Sequence, residues 1–159
     1  AQEYPEVETE ELIVDAFAAL LVRQPERYDV VVATNFYGDI LSDLASELSG
    51  SLGLAGSINA NAETGRCCAQ AQHGSAPDIA GQNIANPTSL ILSAAMMLSW
   101  LGEQRGVGKM MQAGAKITQA IDTTLNDPAK RTRDLGGSAN TDVFGRYVAE
   151  AVSREAMAA

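Results

Sequence analysis

The stretch NFYGDILSDLAS occupies residues 35–46. After the turn residue Gly38, apolar side chains recur at the spacing of one helical face, and Gly50 is a natural end for such a helix. Two carboxylates, Asp39 and Asp43, are one turn apart and lie on the same flank of it. The stretch therefore predicts an amphipathic helix with a paired acidic edge.

This acidic edge has two interpretations. Carboxylates one turn apart repel each other by a few tenths of a kcal/mol, and a divalent cation such as Mg²⁺, which takes oxygen ligands, would relieve that repulsion. Alternatively, the pair is a solvated stripe near a helix N-terminus, where the helix dipole favours aspartate. The spacing alone leaves both interpretations open.

The residues before this helix predict three further elements. A short apolar run at residues 12–14 predicts a strand, Asp15 follows it, and residues 16–22 predict a helix that stops before Pro25. The β-branched run at residues 28–33 predicts a strand buried on both faces.

The rest of the chain predicts loops, short strands and three helices. Between residues 49 and 75 glycine recurs, with strands expected at 55–58 and 66–71. Asn86 can cap a mostly buried helix that has Pro87 at its first position and ends at Gly102. Two more helices are predicted at 107–125 and 141–157, separated by a turn at 126–128 and a loop at 134–140.

A second cluster of chemically active residues is the loop HGSAPDIAG at residues 73–81. Loops of this composition expose backbone N–H groups that suit a pyrophosphate, and an acid such as Asp78 can bind a ribose diol. The alternative is a structural turn with a surface histidine, His73. The G-x-G-x-x-G pattern of ordinary dinucleotide-binding folds does not occur here.

Composition narrows the function classes. The chain has 159 residues, of which 46% are hydrophobic and 19% charged, as in a globular protein with one sizeable core. Twenty acidic against 11 basic residues give a formal charge of −9, which disfavours nucleic acid. No apolar run is long enough for a membrane span. Adjacent Cys67 and Cys68 suit a reducing compartment, so a cytoplasmic location is expected.

Several motifs in register resemble the signatures of the isocitrate/isopropylmalate (β-decarboxylating) dehydrogenase family, which also includes homoisocitrate and tartrate dehydrogenases. They are NFYGDILSDLAS at 35–46, GSLGL at 50–54, HGSAPDIAG at 73–81, IANP at 84–87, LSAAMML at 92–98 and DLGGSA at 134–139. The resemblance implies the C-terminal half of an α/β, isopropylmalate-dehydrogenase-like fold. Residues 1–50 would belong to the small, dimer-forming and metal-binding domain, and residues 51–159 to the large NAD-binding domain.

The resemblance also implies site residues. Asp39 and Asp43 would bind Mg²⁺ or Mn²⁺, and Asp15 would contribute to the ion of a second copy across a homodimer interface. NAD would contact His73, Gly74, Ser75, Ala76, Pro77, Asp78, Ile79, Asn86 and Gln70. His73 and Asn86 would lie near the adenine, and Asp78 on the ribose hydroxyls. NADP-dependent members tend to carry a basic residue and an aromatic where this chain has Asp78-Ile79, so NAD is expected.

The reaction implied by the resemblance oxidises the 2-hydroxyl of a 3-substituted malate by hydride transfer to NAD, with loss of CO₂. The expected substrate is 3-isopropylmalate first, with isocitrate, homoisocitrate and tartrate as alternatives. The catalytic lysine and tyrosine and the substrate-binding arginines are expected upstream, in an N-terminal half, so no catalytic residue is assigned within this chain. By itself the chain is predicted to be inactive. The alternative is a truncated remnant that only binds ligand or dimerises.

One position departs from the family pattern. The family usually has Glu-Pro-Val before the His-Gly-Ser motif, whereas this chain has Gln70, Ala71 and Gln72. Gln70 can hydrogen-bond a carboxamide or a ribose but brings no charge. Cofactor binding therefore remains possible, while the substrate is left open.

Overall fold

The computed structural model describes residues 3–157, and side chains through residue 154. Five helices and one two-stranded sheet form the framework: α1 (Val14–Arg23), α2 (Asn35–Leu48), β1 (Gly56–Asn61), β2 (Arg66–Ala71), α3 (Thr88–Arg105), α4 (Gly108–Leu125) and α5 (Thr141–Met157). The chain divides into two compact units, one through Leu48 and the other from Ser49. The assignment of residues 1–50 and 51–159 to the two family domains stays a prediction.

The first unit is a pair of helices with a small apolar core. Phe17 and Leu21 of α1 and Leu41 of α2 are buried together. Tyr28 packs the edge of its ring against Phe17, with ring centroids 4.9 Å apart. The amphipathic helix predicted at Asp39 and Asp43 is confirmed, although it begins earlier, at Asn35.

Both strands predicted before α2 are wrong. Residues 12 and 13 have no regular structure, and Val14 is already the first residue of α1. Residues 28–33 also lack strand pairing, and Val30 and Val32 are 83% and 94% exposed rather than buried. A strand needs backbone partners, and the described residues of the chain supply none to this run, so β-propensity alone does not make a strand.

The second unit is built on α3, which packs against the β1–β2 hairpin on one side and against α4 on the other. The hairpin is antiparallel, with Ser57 opposite Gln70 and Ile58 opposite Ala69. The main apolar core of the second unit lies between α4 and α5, and the buried side chains there are Ala120, Ile121, Ala139, Phe144 and Val148. Both predicted short strands and all three predicted helices of this region are therefore confirmed.

Helix α3 differs from the prediction at both ends. It begins at Thr88, one residue later than expected, so Pro87 and not Asn86 is its N-cap; Asn86 lies one residue earlier and accepts a hydrogen bond from the Thr88 amide. The helix continues through Gly102. This glycine is buried where α4 approaches, and a Cβ there would lie 2.8 Å from the amide nitrogen of Met111, so the position serves close packing and not helix termination. The end comes at Gly106, whose φ of 65° lies in the left-handed region.

The face of α3 that is fully buried is small and polar rather than aliphatic. Ser89, Ser93 and Ala95 are completely buried, whereas Leu90 is 56% exposed. Small side chains allow the hairpin and α4 to approach the helix backbone closely. None of the described helices is both long and apolar enough to span a membrane.

Candidate cofactor and metal site

The predicted metal-binding acids lie on the two helices of the first unit. Asp39 and Asp43 are exposed and one turn apart on α2. Their carboxylates therefore face the same side of the helix, as the sequence predicted. Leu41, between them in sequence, is turned into the core with Phe17 and Leu21, and this packing fixes the rotation of α2 that leaves both acids outside.

Asp15 lies in the first turn of α1, not after a strand as predicted. Its Oδ1 accepts a hydrogen bond from the amide of Ala16 at 2.7 Å, and the residue is exposed. Among the described residues no three ligating side chains come together as a metal site. The three acids are thus two neighbours on α2 and a separate one on α1. Their roles as ligands stay predictions.

The predicted NAD loop is an exposed, partly helical turn. A short 3-10 helix, Pro77–Ile79, follows Ala76, which has a left-handed φ of 42°. The amide of Ile79 donates to the Ala76 carbonyl at 3.1 Å. Gly74, Ser75, Ala76, Pro77 and Asp78 are exposed, while His73 and Ile79 are half-buried.

The backbone of this loop offers donors to a ligand. Within the described part of the chain, the amides of Gly74, Ser75 and Ala76 have no intramolecular acceptor. Consecutive free N–H groups next to a left-handed residue are typical of anion-binding concavities. His73 Nδ1 lies 2.8 Å from the Gly74 carbonyl oxygen, which requires that nitrogen to carry the proton.

Hydrogen bonds anchor the loop at both ends. At the start, the Gln72 amide donates to Ser89 Oγ at 3.1 Å. At the end, the side chain of Asn83 donates to Asp142 Oδ1 at 2.7 Å and accepts from the Asp142 amide at 3.1 Å. The Thr141 hydroxyl bonds the Ala85 carbonyl at 2.5 Å. The loop is therefore held between the first turns of α3 and α5.

Gln70, the remaining residue predicted to contact the cofactor, lies on β2. It is exposed and stands opposite Ser57 in the hairpin. Its carbonyl oxygen accepts a hydrogen bond from Ser93 Oγ at 2.6 Å, and Ser93 Oγ also accepts from the Ser57 amide at 2.9 Å. One buried serine hydroxyl thus ties both strands to α3, leaving the Gln70 side chain outside.

Asn86 differs from the other predicted cofactor residues because its side chain is buried and engaged within the protein. Its exposure is 8%. Oδ1 accepts from the Thr88 amide at 3.0 Å, and Nδ2 donates to Asp134 Oδ2 at 2.9 Å. In this structure the amide bridges the Thr88 backbone and Asp134; its contact with adenine stays a prediction.

Asp134 contacts the predicted cofactor residue Asn86, although the sequence did not single it out as a site candidate. It belongs to the DLGGSA motif, but no local spacing relates it to Asn86, 48 residues away. Ser51 also donates to its Oδ2, at 2.5 Å. Partial burial acts most strongly and raises the pKa of Asp134, yet the hydrogen bonds from Ser51, Asn86 and other groups together outweigh it, so the pKa is lowered. The carboxylate is therefore charged at neutral pH.

Comparison with known proteins agrees with this architecture. The isocitrate/isopropylmalate dehydrogenase family model matches residues 1–152. The isocitrate/homoisocitrate dehydrogenase of Thermus thermophilus is 49% identical over 152 residues, which are 96% of this chain and 42% of that protein. The 3-isopropylmalate dehydrogenase of Hahella chejuensis is 47% identical over 154 residues, or 97% of this chain and 41% of that protein.

A solved structure extends the likeness to the fold. The isocitrate dehydrogenase from Methylococcus capsulatus matches with a TM-score of 0.85 and 41% identity over 95% of this chain and 42% of that one. The chain thus spans about two fifths of the length of these relatives. The match confirms the predicted α/β, isopropylmalate-dehydrogenase-like fold. The motifs, the family model and the structural match together show that this chain belongs to the isocitrate/isopropylmalate dehydrogenase family, whose members are dehydrogenases.

Proposed function

We propose that this chain supplies the metal-binding acids and the adenosine-binding loop of an NAD- and Mg²⁺- or Mn²⁺-dependent dehydrogenase that oxidatively decarboxylates a 3-substituted malate. The observation that carries the proposal is the exposed pair Asp39 and Asp43 on α2, in a chain of this family. The exposed loop at residues 73–78 is the second observation, and it supports NAD as the proposed cofactor.

The donor set of α2 fits a hard divalent cation. Asp39 and Asp43 present carboxylate oxygens, which Mg²⁺ and Mn²⁺ prefer, from adjacent turns of one rigid helix. Packing of Leu41 against α1 holds that helix in place. Asp15 is on a different helix, and we assign it to the ion of a second copy in a homodimer. When bound, the ion supplies a Lewis acid for the substrate hydroxyl and for the enolate left by decarboxylation.

The loop at residues 73–78 fits the adenosine and phosphate end of NAD. Its free backbone amides suit phosphate oxygens, and the exposed carboxylate of Asp78 suits the two hydroxyls of a ribose. A 2′-phosphate would bring like charge to the same carboxylate. The net charge of −9 adds no general attraction for the extra phosphate of NADP. NAD is therefore the proposed cofactor.

We propose the substrate class by analogy with the relatives. Which substituted malate is used depends on residues outside this chain. Two relatives are named for isocitrate/homoisocitrate and 3-isopropylmalate, at nearly equal identities of 49% and 47%. We keep 3-isopropylmalate as the first substrate to test, followed by isocitrate, homoisocitrate and tartrate. No lysine precedes Lys109, so we assign the proton-transferring lysine to an N-terminal half, and we place the tyrosine and substrate arginines of the family pattern there with it. Alone, the chain binds its ligands without turnover.

Mn²⁺ titration followed by electron paramagnetic resonance tests the metal site. The wild-type chain should bind Mn²⁺, and Asp39→Asn should weaken binding by about tenfold, since each lost carboxylate removes a charged ligand. The matched control is Glu47→Gln, an exposed acid two turns further along α2. Equal affinity in Asp39→Asn and wild type would reject the site, and absence of both Mn²⁺ and NAD binding would favour the non-catalytic remnant.

A further inference from the structure

One carboxylate oxygen joins three segments that are far apart in the chain. Asp134 Oδ2 accepts a hydrogen bond from Ser51 Oγ at 2.5 Å and another from Asn86 Nδ2 at 2.9 Å. The sequence separations are 83 and 48 residues. Hydrogen bonds to a charged acceptor are stronger than those between neutral groups. The junction therefore connects the turn after α2, the start of α3 and the loop before α5.

The carboxylate fixes which way the amide of Asn86 points. Because Nδ2 donates to Asp134, Oδ1 faces the first turn of α3 and accepts from the Thr88 amide at 3.0 Å. The flipped amide would direct an NH₂ group at that N–H and leave the carboxylate facing a carbonyl oxygen. Asn86 and Thr88 are almost completely buried, at 8% and 1% exposure, so water cannot readily replace these bonds.

The turn at Leu52–Leu54 holds Asn86 from the other side. A Cβ on Gly53 would lie only 2.8 Å from the Asn86 Cβ, so the two backbones pack closely. The same turn is fastened by Ser51, whose Oγ accepts from the Gly53 amide at 3.1 Å while donating to Asp134. Asn86 is thus confined between the turn and the carboxylate.

The position of Asn86 bears on both ends of the loop at residues 73–85. Asn86 directly follows the loop and accepts a hydrogen bond from the Thr88 amide at the start of α3. Within the first turn of α3, Ser89 accepts a hydrogen bond from the amide of Gln72, the residue before the loop begins. Displacing the start of α3 would therefore move the Gln72 attachment and Asn86 together; the further attachment of the loop, at Asn83 and Ala85, is to α5.

We propose that Asp134 is a positioning residue for the dinucleotide: through Asn86 and the first turn of α3 it holds the loop at residues 73–85 in the conformation that binds the adenosine end. The identity of the ligand rests on the proposed function above. The positioning role itself rests only on contacts within this chain, those of Asp134 with Ser51 and Asn86. The two claims are separable by experiment.

Amide hydrogen exchange of the ligand-free chain tests the placement. Asp134→Ala should accelerate exchange at Gln72, Ile79, Ala80, Gln82 and Thr88 by at least about tenfold, while the amides in the middle of α4, which bond none of the loop, keep their wild-type rates. The matched control is Asp127→Ala. That acid also accepts a hydrogen bond, from the Ala129 amide, and pairs with Lys130 at 3.1 Å, but it contacts none of the loop.

Calorimetric titration with NAD tests the ligand. Asp134→Ala should weaken NAD binding by about tenfold, whereas Val148→Ala, a variant in the buried core between α4 and α5, should lower the unfolding temperature without weakening NAD binding. If Asp134→Ala does not fold, Asp134→Asn provides the test: it keeps an acceptor oxygen but loses the charge, so a smaller acceleration and weakening are expected.

The exchange and titration results test the positioning role and the cofactor separately. Wild-type loop exchange in a folded Asp134→Ala chain, or in Asp134→Asn if that is the variant that folds, would overturn the positioning role. If Val148→Ala weakened NAD binding as much as Asp134→Ala does, the effect of Asp134 would be one of general stability, and the positioning role would also be overturned. A wild-type chain that binds no NAD would instead reject the proposed cofactor. The exchange result would then still decide whether Asp134 places the loop.

Discussion

The backbone amide of Gln72 donates to the buried hydroxyl of Ser89 at 3.1 Å, and the same hydroxyl donates to the Ala55 carbonyl at 2.5 Å. One side chain of α3 thereby holds the entrance to β1 and the exit from β2. The exit leads directly into the loop that carries His73 and Asp78. The start of the candidate NAD loop is thus held in place by Ser89.

Ser89→Ala should lower the free energy of unfolding by about 1–3 kcal/mol, because it leaves a buried amide and carbonyl without their partner. Urea unfolding followed by circular dichroism measures the change. The control is Ser153→Ala, which removes an exposed hydroxyl bonded only to the Ala149 carbonyl and should alter stability by less than about 0.5 kcal/mol. Equal losses of stability in the two variants would show that the Ser89 hydroxyl contributes no more than an exposed helix hydroxyl does.

Two glycines inside helices should respond oppositely to alanine. A Cβ at Gly114 of α4 would lie 2.6 Å from the Ala95 carbonyl oxygen of α3, so Gly114→Ala should destabilise the chain by about 1–3 kcal/mol. Gly145 of α5 has open space where a methyl group would project, and Gly145→Ala should stabilise by about 0.5–1 kcal/mol through helix propensity. Thermal unfolding of both variants gives the signs. A stable Gly114→Ala would contradict the close α3–α4 packing.

The lowered pKa of Asp134 predicts a pH-dependent stability. A carboxyl whose folded-state pKa lies below its ordinary value of 3.8 contributes stability above that value and loses it as pH falls through the folded-state pKa. The difference in unfolding free energy between wild type and Asp134→Asn should therefore be largest at neutral pH and shrink in acid below 3.8. Urea titrations across this range measure it. A difference that does not vary with pH would show that the charge is not what the junction uses.

Asp78→Ala should weaken NAD binding by about tenfold or more, since it removes a charged acceptor for the ribose hydroxyls. It should also narrow the preference for NAD over NADP, because the repulsion of a 2′-phosphate disappears. Calorimetric titration with both dinucleotides provides the two numbers. Asp122→Ala, which removes an exposed acid of α4, is the control and should change neither. Tighter binding of NADP than NAD by the wild-type chain would reject the assignment.

Local patterns were enough for the elements whose stability is decided nearby. The helical spacing around Asp39 and Asp43 predicted α2, and the turn residues after Asn126 predicted where α4 ends. Asn86 was recognised at the start of α3 because its bond to the Thr88 amide is local, although Pro87 rather than Asn86 is the N-cap. The strand at residues 28–33 failed for the opposite reason: its β-branched side chains express a preference, but pairing requires a partner elsewhere in the chain.

The sequence by itself determined the family, the acidic pair on α2 and the loop with its exposed amides and Asp78, because each is a short motif with its own local chemistry. Only the tertiary structure decided that Ser89 and Ser93 bind the hairpin to α3, and that Asp134 meets Ser51 and Asn86 at one oxygen. The physical reason is distance along the chain. A hydrogen bond across 48 or 83 residues leaves no periodicity in the sequence and exists only once the chain has folded.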